Sequence, residues 1–165
     1  MENATMTETA NCEAVIDSVL GQELGKDECN ILTGVMKVQQ LADGEYLVKE
    51  GDEDNHLFIL TSGKLVVSSM IEGREVDVYK MKVGECAGTR AFVDRASRQA
   101  SLRASGESVV YTLDPKDFES LLDEHGGVVY KVMRGLFRLT HMNLMRMNSE
   151  SQELSNYINK TGGRY

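Results

Sequence analysis

Gly88-Thr-Arg-Ala-Phe-Val-Asp-Arg-Ala-Ser-Arg-Gln-Ala-Ser-Leu-Arg-Ala104 is the stretch whose reading decides the fold. It opens on a glycine and continues as a short helix-compatible run, Thr89 to Arg95. It then places Arg98 immediately before the alternating apolar positions Ala100, Leu102 and Ala104. The picture is a short helix with free N–H groups at its start, followed by an arginine at the mouth of a strand. Both are good receptors for phosphate.

Upstream of this stretch the apolar period is two. Val35 to Leu41, Tyr46 to Lys49, His56 to Thr61, Lys64 to Met70 and Glu75 to Met81 read as short strands. The turn dipeptides Asp43-Gly44, Ser62-Gly63 and Glu72-Gly73 separate several of them, and Glu50 to Asn55 forms an acidic loop. Downstream, Gln99 to Ala104 and Ser108 to Leu113 add two strands around Ser105-Gly-Glu107. Many short strands with glycine turns and no crossover helices predict a small β-barrel or jelly roll rather than a parallel sheet.

The opening stretch resembles the phosphate-binding cassette of cyclic nucleotide-binding domains. That family reads Gly-Glu-x-Ala-Leu, a few variable residues, then Pro-Arg-x-Ala-Thr/Ser-Val-x-Ala. Gly88, Ala91, Phe92, Arg98, Ala100, Ser101, Leu102 and Ala104 fall on the pattern. Gly51-Asp52 and His56-Leu-Phe-Ile-Leu-Thr-Ser-Gly63 match a second family signature, and the likeness runs from roughly Lys26 to Phe118. The resemblance implies a mainly β fold with flanking helices: a cyclic nucleotide-binding-like β-barrel (double-stranded β-helix or jelly roll) followed by a long C-terminal helix. It implies a regulatory, non-enzymatic module, with cyclic AMP or cyclic GMP as the expected ligand and no other cofactor.

It also implies a set of contacts. Arg98 would take the ligand phosphate through its planar fork. The backbone N–H groups of Arg90 and Ala91 would face the same phosphate, Gly88 would permit close backbone approach, and Gln99 and Ser101 would add hydrogen bonds. Thr140 and Asn143, on the long helix, would reach the base; their alternative role is to set register in a coiled coil. Arg98 has an alternative too, as an arginine salt-bridged to the acidic loop. Two positions depart from the pattern. Ser97 replaces the proline, and Thr89 replaces the glutamate that receives the ribose 2′-hydroxyl. A threonine hydroxyl accepts one hydrogen bond where a carboxylate accepts two. Three readings stay open: weak cyclic nucleotide binding, binding of a different anion, or a ligand-free structural and interaction protein with a degenerate site. A register using Gly84-Glu85 restores the glutamate only by inserting residues before Arg98.

The 165 residues are enough for one core without staples. A net charge of −8 excludes general affinity for nucleic acid or anionic membrane, so an anion needs a locally positive pocket. Cys12, Cys29 and Cys86 make no CxxC pair and read as packed small hydrophobes in a reducing cytoplasm. Met1 to Ala10 carries acidic but no basic residues, unlike a signal peptide, and no apolar run is long enough to span a membrane. His56, His125 and His141 lack metal-ligand spacing, and no nucleophile–base or paired-carboxylate motif suggests an enzyme.

The domain expectation is a flexible tail over 1–10, the binding domain with its N-terminal helices over 11–125, and a dimerisation helix and tail over 126–165. Cys12 to Leu20 carries one helical stripe, and a second short helix, capped by Asp27 and closed by Gly34, follows. Asp114-Pro115 opens a helix that Gly126-Gly127 should break. Val128 to Ile158 then reads as one helix of ~45 Å, with a seam of Val129, Met133, Leu136, Thr140, Asn143, Met147, Glu150, Leu154 and Tyr157. Its four-three spacing predicts a homodimer through 128–158 that acts on an effector protein, the alternative being a helix folded back on its own barrel. Too few residues follow for a helix-turn-helix, so direct DNA binding is not expected. The chain would be a catabolite activator-type transcription regulator only as a fragment of something longer.

Overall fold

The structure is a computed structural model that describes residues 9–162. Most of the expected tail, residues 1–8, and the final residues 163–165 lie outside the described residues. Eight antiparallel strands form two four-stranded sheets. One has the order β1 (Met36–Leu41), β8 (Ser108–Leu113), β3 (Leu57–Ser62), β6 (Cys86–Ala87); the other has β2 (Tyr46–Val48), β7 (Ser101–Ala104), β4 (Leu65–Ile71), β5 (Arg74–Met81). The expected mainly β jelly roll with a long C-terminal helix is what the structure shows, with its two sheets not closed into one barrel. The edge strands β6 and β2 are two and three residues long, too short to carry a ladder from one sheet to the other.

Strand β3 shows why its sequence is a continuous apolar run. Leu57 and Ile59 point into the core under the helices, whereas Phe58 and Leu60 point between the sheets. Its neighbour β8 divides in the same way, with Tyr111 and Leu113 on the helical side and Val110 between the sheets. Each fully buried aliphatic side chain contributes about 1.5–3 kcal/mol. Strand β5 is an outer edge, exposed along its length except at Met81.

Three short segments cover the first sheet from the N-terminal side: α1 (Cys12–Ile16), a 3-10 turn (Gly21–Glu23) and α2 (Lys26–Thr33). The apolar stripe read over Cys12 to Leu20 is a helix only to Ile16. The predicted Asp27 cap is also corrected. The cap is Gly25, two residues earlier, and the Glu28 carboxylate accepts from the Gly25 N–H at 2.8 Å. Asp114 does cap α4 (Pro115–Glu119), accepting from the Lys116 N–H at 2.7 Å, with proline at the first turn where no N–H is needed.

The last helix, α5, runs Leu122–Thr161. The break expected at Gly126-Gly127 falls at His125, which leaves helical geometry at φ −132°, ψ 39°, while both glycines stay helical. Val128, Val129, Val132, Gly135 and Leu136 are buried, so the first half folds back on its own domain. Gly135 permits this: a Cβ there would sit 3.3 Å from the Val19 carbonyl oxygen. Lys131 pairs with Glu28 at 2.8 Å, and Arg134 and Arg138 both reach Glu23. From 140 to 161 every residue of the helix is exposed. No helix of the described residues is long and apolar enough to cross a membrane.

Candidate ligand-binding site

Short helix α3 (Thr89–Asp94) sits between β6 and the loop leading to β7. Gly88 caps it with φ +86°, a conformation that suits glycine, and its carbonyl accepts the first helical bond from Phe92 at 3.0 Å. The N–H groups of Arg90 and Ala91 are therefore first-turn donors outside the helical ladder. Phe92 anchors the other face, with its ring 5.4 Å from Phe118 of α4. Arg95 ends the helix and pairs with Glu119 rather than standing free in solvent.

Between α3 and β7 lies a cavity of about 200 Å³. Gly88, Thr89, Arg90, Ala91, Arg98 and Gln99 all line it, with Ser97 and Ala100; Val48, Val67, Ala87 and Leu102 supply its apolar wall. Two arginines and no carboxylate are among its lining residues, and one of the two, Arg98, is paired with Asp54 behind the cavity. Three sequence-predicted residues lie elsewhere. The Ser101 hydroxyl accepts from the Glu50 N–H at 2.9 Å. The Thr140 hydroxyl donates to the Leu136 carbonyl at 2.9 Å. Asn143 lines a neighbouring cavity with Leu139 and Arg146, whose walls Val67 and Ala87 are shared with the first.

Arg98 is 5% exposed. Its Nη2 donates to Asp54 and, at 2.6 Å, to the His56 carbonyl oxygen. Its guanidinium lies 4.7 Å from the Phe58 ring centre. Nε and Nη1 are buried without a hydrogen-bond partner. Nη1 faces Gly88, where an added Cβ would come within 2.3 Å of it. The acidic loop positions the arginine as well as pairing with it. Arg98 N–H donates to the Asp52 carbonyl at 2.8 Å, and the Arg98 carbonyl accepts from Gly51 N–H at 2.8 Å. Burial pushes the Asp54 carboxyl upward, but hydrogen bonds from Arg98 and His56 and the Arg98 charge hold it below its ordinary value.

Asp54 entered the sequence reading only as one member of the acidic loop offered as an alternative partner of Arg98, and Phe58 not at all as a site residue. Their partner is 44 and 40 positions away, and only the run of carboxylates in Glu50 to Asn55, opposite an arginine-rich cassette, hinted at the pairing. The cysteines pack as expected: burial pushes the Cys29 thiol up to about 12, and burial with the Glu85 charge does the same for Cys86.

The family described as "Cyclic nucleotide-binding domain" matches residues 38–125, more than half of the chain. The chain is 37% identical over 91 residues to the cAMP-dependent protein kinase regulatory subunit of Emericella nidulans, covering 55% of this chain and 21% of that protein. It is 27% identical over 111 residues to cGMP-dependent protein kinase, isozyme 1, of Drosophila melanogaster, covering 67% of this chain and 14% of that one. It therefore spans only a small part of these relatives' length. A cyclic nucleotide-binding domain from Methylobacillus flagellatus shares its fold with a TM-score of 0.78 at 19% identity, over 84% of this chain and 81% of that one.

Proposed function

This chain belongs to the cyclic nucleotide-binding domain family, and we propose that it is a non-enzymatic sensor whose Arg98 takes the phosphate of a cyclic nucleotide. One observation carries the proposal: a buried guanidinium with Nε and Nη1 unpartnered beside a cavity that no carboxylate lines. An unsatisfied buried donor costs about 1–3 kcal/mol. A phosphate accepting from Nη1, the unpartnered donor beside Gly88, removes part of that cost through a charge-assisted hydrogen bond. Arg90 and Ala91 N–H groups, Thr89, Gln99 and Ser97 surround the same anion. Ser101 acts from behind, holding the acidic loop through Glu50. The ligand base extends past Val67 and Ala87 toward Asn143, and Thr140 lies one turn earlier on the same helix.

In this reading residues 11–125 form the sensor and 126–165 the dimerisation helix and tail of a homodimer that signals to an effector protein. The exposed Met142, Met145, Met147, Leu154, Tyr157 and Ile158 favour such a partner, because a helix half with no covered face gains little from its own chain. A cytoplasmic location suits three free cysteines.

Thermal unfolding with cyclic AMP and cyclic GMP tests the ligand. At about 100 times its dissociation constant the true ligand adds ~2.7 kcal/mol, and Arg98→Ala abolishes the shift. The absence of any shift would favour the second reading, a ligand-free interaction protein, which Thr89 and the existing Asp54–Arg98 pair support.

A further inference from the structure

The one imidazole near the site stands between two carboxylates that belong to different parts of the fold. His56 Nδ1 lies 2.9 Å from Asp54 Oδ2, in the loop before β3. His56 Nε2 lies 3.5 Å from Asp114 Oδ2, the residue that caps α4. The other oxygen of each carboxylate is already engaged, Asp54 Oδ1 by Arg98 and Asp114 Oδ1 by the Lys116 N–H. The His56 carbonyl accepts from Arg98, and its ring stacks on Phe58, the ring that also carries the Arg98 guanidinium.

Taking the ligand site proposed above as its premise, we propose that His56 is a positioning residue: one ring nitrogen holds Asp54 against Arg98, the other meets the cap of α4, and protonation couples anion affinity to the seating of α4. A neutral imidazole has one N–H and can serve one carboxylate; an imidazolium serves both. The shorter contact assigns the neutral proton to Nδ1, which leaves the Nε2 lone pair facing Asp114 Oδ2. Adding a proton replaces that lone pair with a donor and joins the loop to the cap. It also places one more positive charge behind the phosphate site. The charged groups around the ring are Asp54 and Asp114 in contact, Arg98 behind Asp54, and Glu53, Arg95 and Lys116 lining the same small cavity. Helix α4 transmits the change, since Phe118 packs on Phe92 of the cassette helix and α5 follows directly.

The test is binding of fluorescent cyclic AMP and cyclic GMP analogues to the whole chain between pH 5.5 and 8.0. The wild type should bind about fivefold tighter at the acid end, His56→Gln should be flat, and Asp114→Asn, which keeps a good cap, should show a smaller change. Identical profiles in wild type and His56→Gln would overturn the proposal. Long-range ¹⁵N–¹H spectra of the ligand-free protein decide it separately: a neutral His56 ring protonated on Nδ1 supports it, and one protonated on Nε2 overturns it. If neither analogue binds at any pH, the ligand assignment fails while the tautomer still judges the role of His56.

Discussion

Arg98 enters the interior with only Nη2 engaged, and three single substitutions probe what surrounds it. Gly88→Ala puts a Cβ 2.3 Å from Nη1 and 2.8 Å from the His56 carbonyl oxygen, at φ +86°. We expect a loss of about 1–3 kcal/mol of stability and loss of ligand, read by urea unfolding and calorimetry. Thr89→Glu should tighten ribonucleotide binding by about tenfold or more, the value of one charge-assisted hydrogen bond, and leave 2′-deoxy cyclic nucleotides unchanged. The native protein, with only the weaker Thr89 hydroxyl there, should show at most a small ribose preference; a strong one would show that another group receives the 2′-hydroxyl. Asp54→Asn tests the pair itself. The Asp54 carboxyl is held below its ordinary value of 3.8, so its contribution is full above that pH and disappears as pH falls through the lower folded value. The stability gap between wild type and Asp54→Asn should therefore be open at pH 7, at about 1–3 kcal/mol, and should close as pH falls through the lowered folded value. The positions of Gly88 and Arg98 were legible because the cassette is contiguous. Asp54 was not, because its role arises only when the loop meets the cassette in space.

Helix α5 contains two regimes, and the boundary follows burial rather than the seam drawn from its spacing. Val129 and Leu136 of that seam are spent on the chain's own core, whereas the positions from Thr140 onward meet solvent. Leu136→Ala should cost about 2–5 kcal/mol at any protein concentration. Leu154→Ala should leave the monomer's stability unchanged and weaken only self-association, measured by unfolding across a range of concentrations. The sequence showed that a long helix follows Asp114-Pro115, since cap and period are local. It misplaced the bend, because two glycines suggest a break by propensity, whereas the packing of Val128 and Val129 keeps them helical and moves the irregularity to His125. Strand β6, at two residues, carries no period to detect.

For the whole molecule, the two-sheet arrangement was legible in class and not in closure. Alternation says which face of a strand is buried, but the bonding of one sheet's edge to another depends on edge length. The same scale decides assembly. Met147→Glu with Leu154→Glu should give a monomer by sedimentation with the fold retained, while the unmodified chain sediments as a dimer; a wild-type monomer would end the homodimer proposal. The clamps that Lys131, Arg134 and Arg138 form with Glu28 and Glu23 give the molecule a mechanical property. They tie the base of α5 to the N-terminal helices, Arg146 over the Tyr79 ring adds a contact farther along, and roughly 22 Å of helix runs on from there to Thr161 as an arm. A tilt of about 10° at the start of that arm sweeps its tip by about 4 Å, so a displacement too small to disturb the core around the cassette becomes, at Thr161, most of one turn of helix.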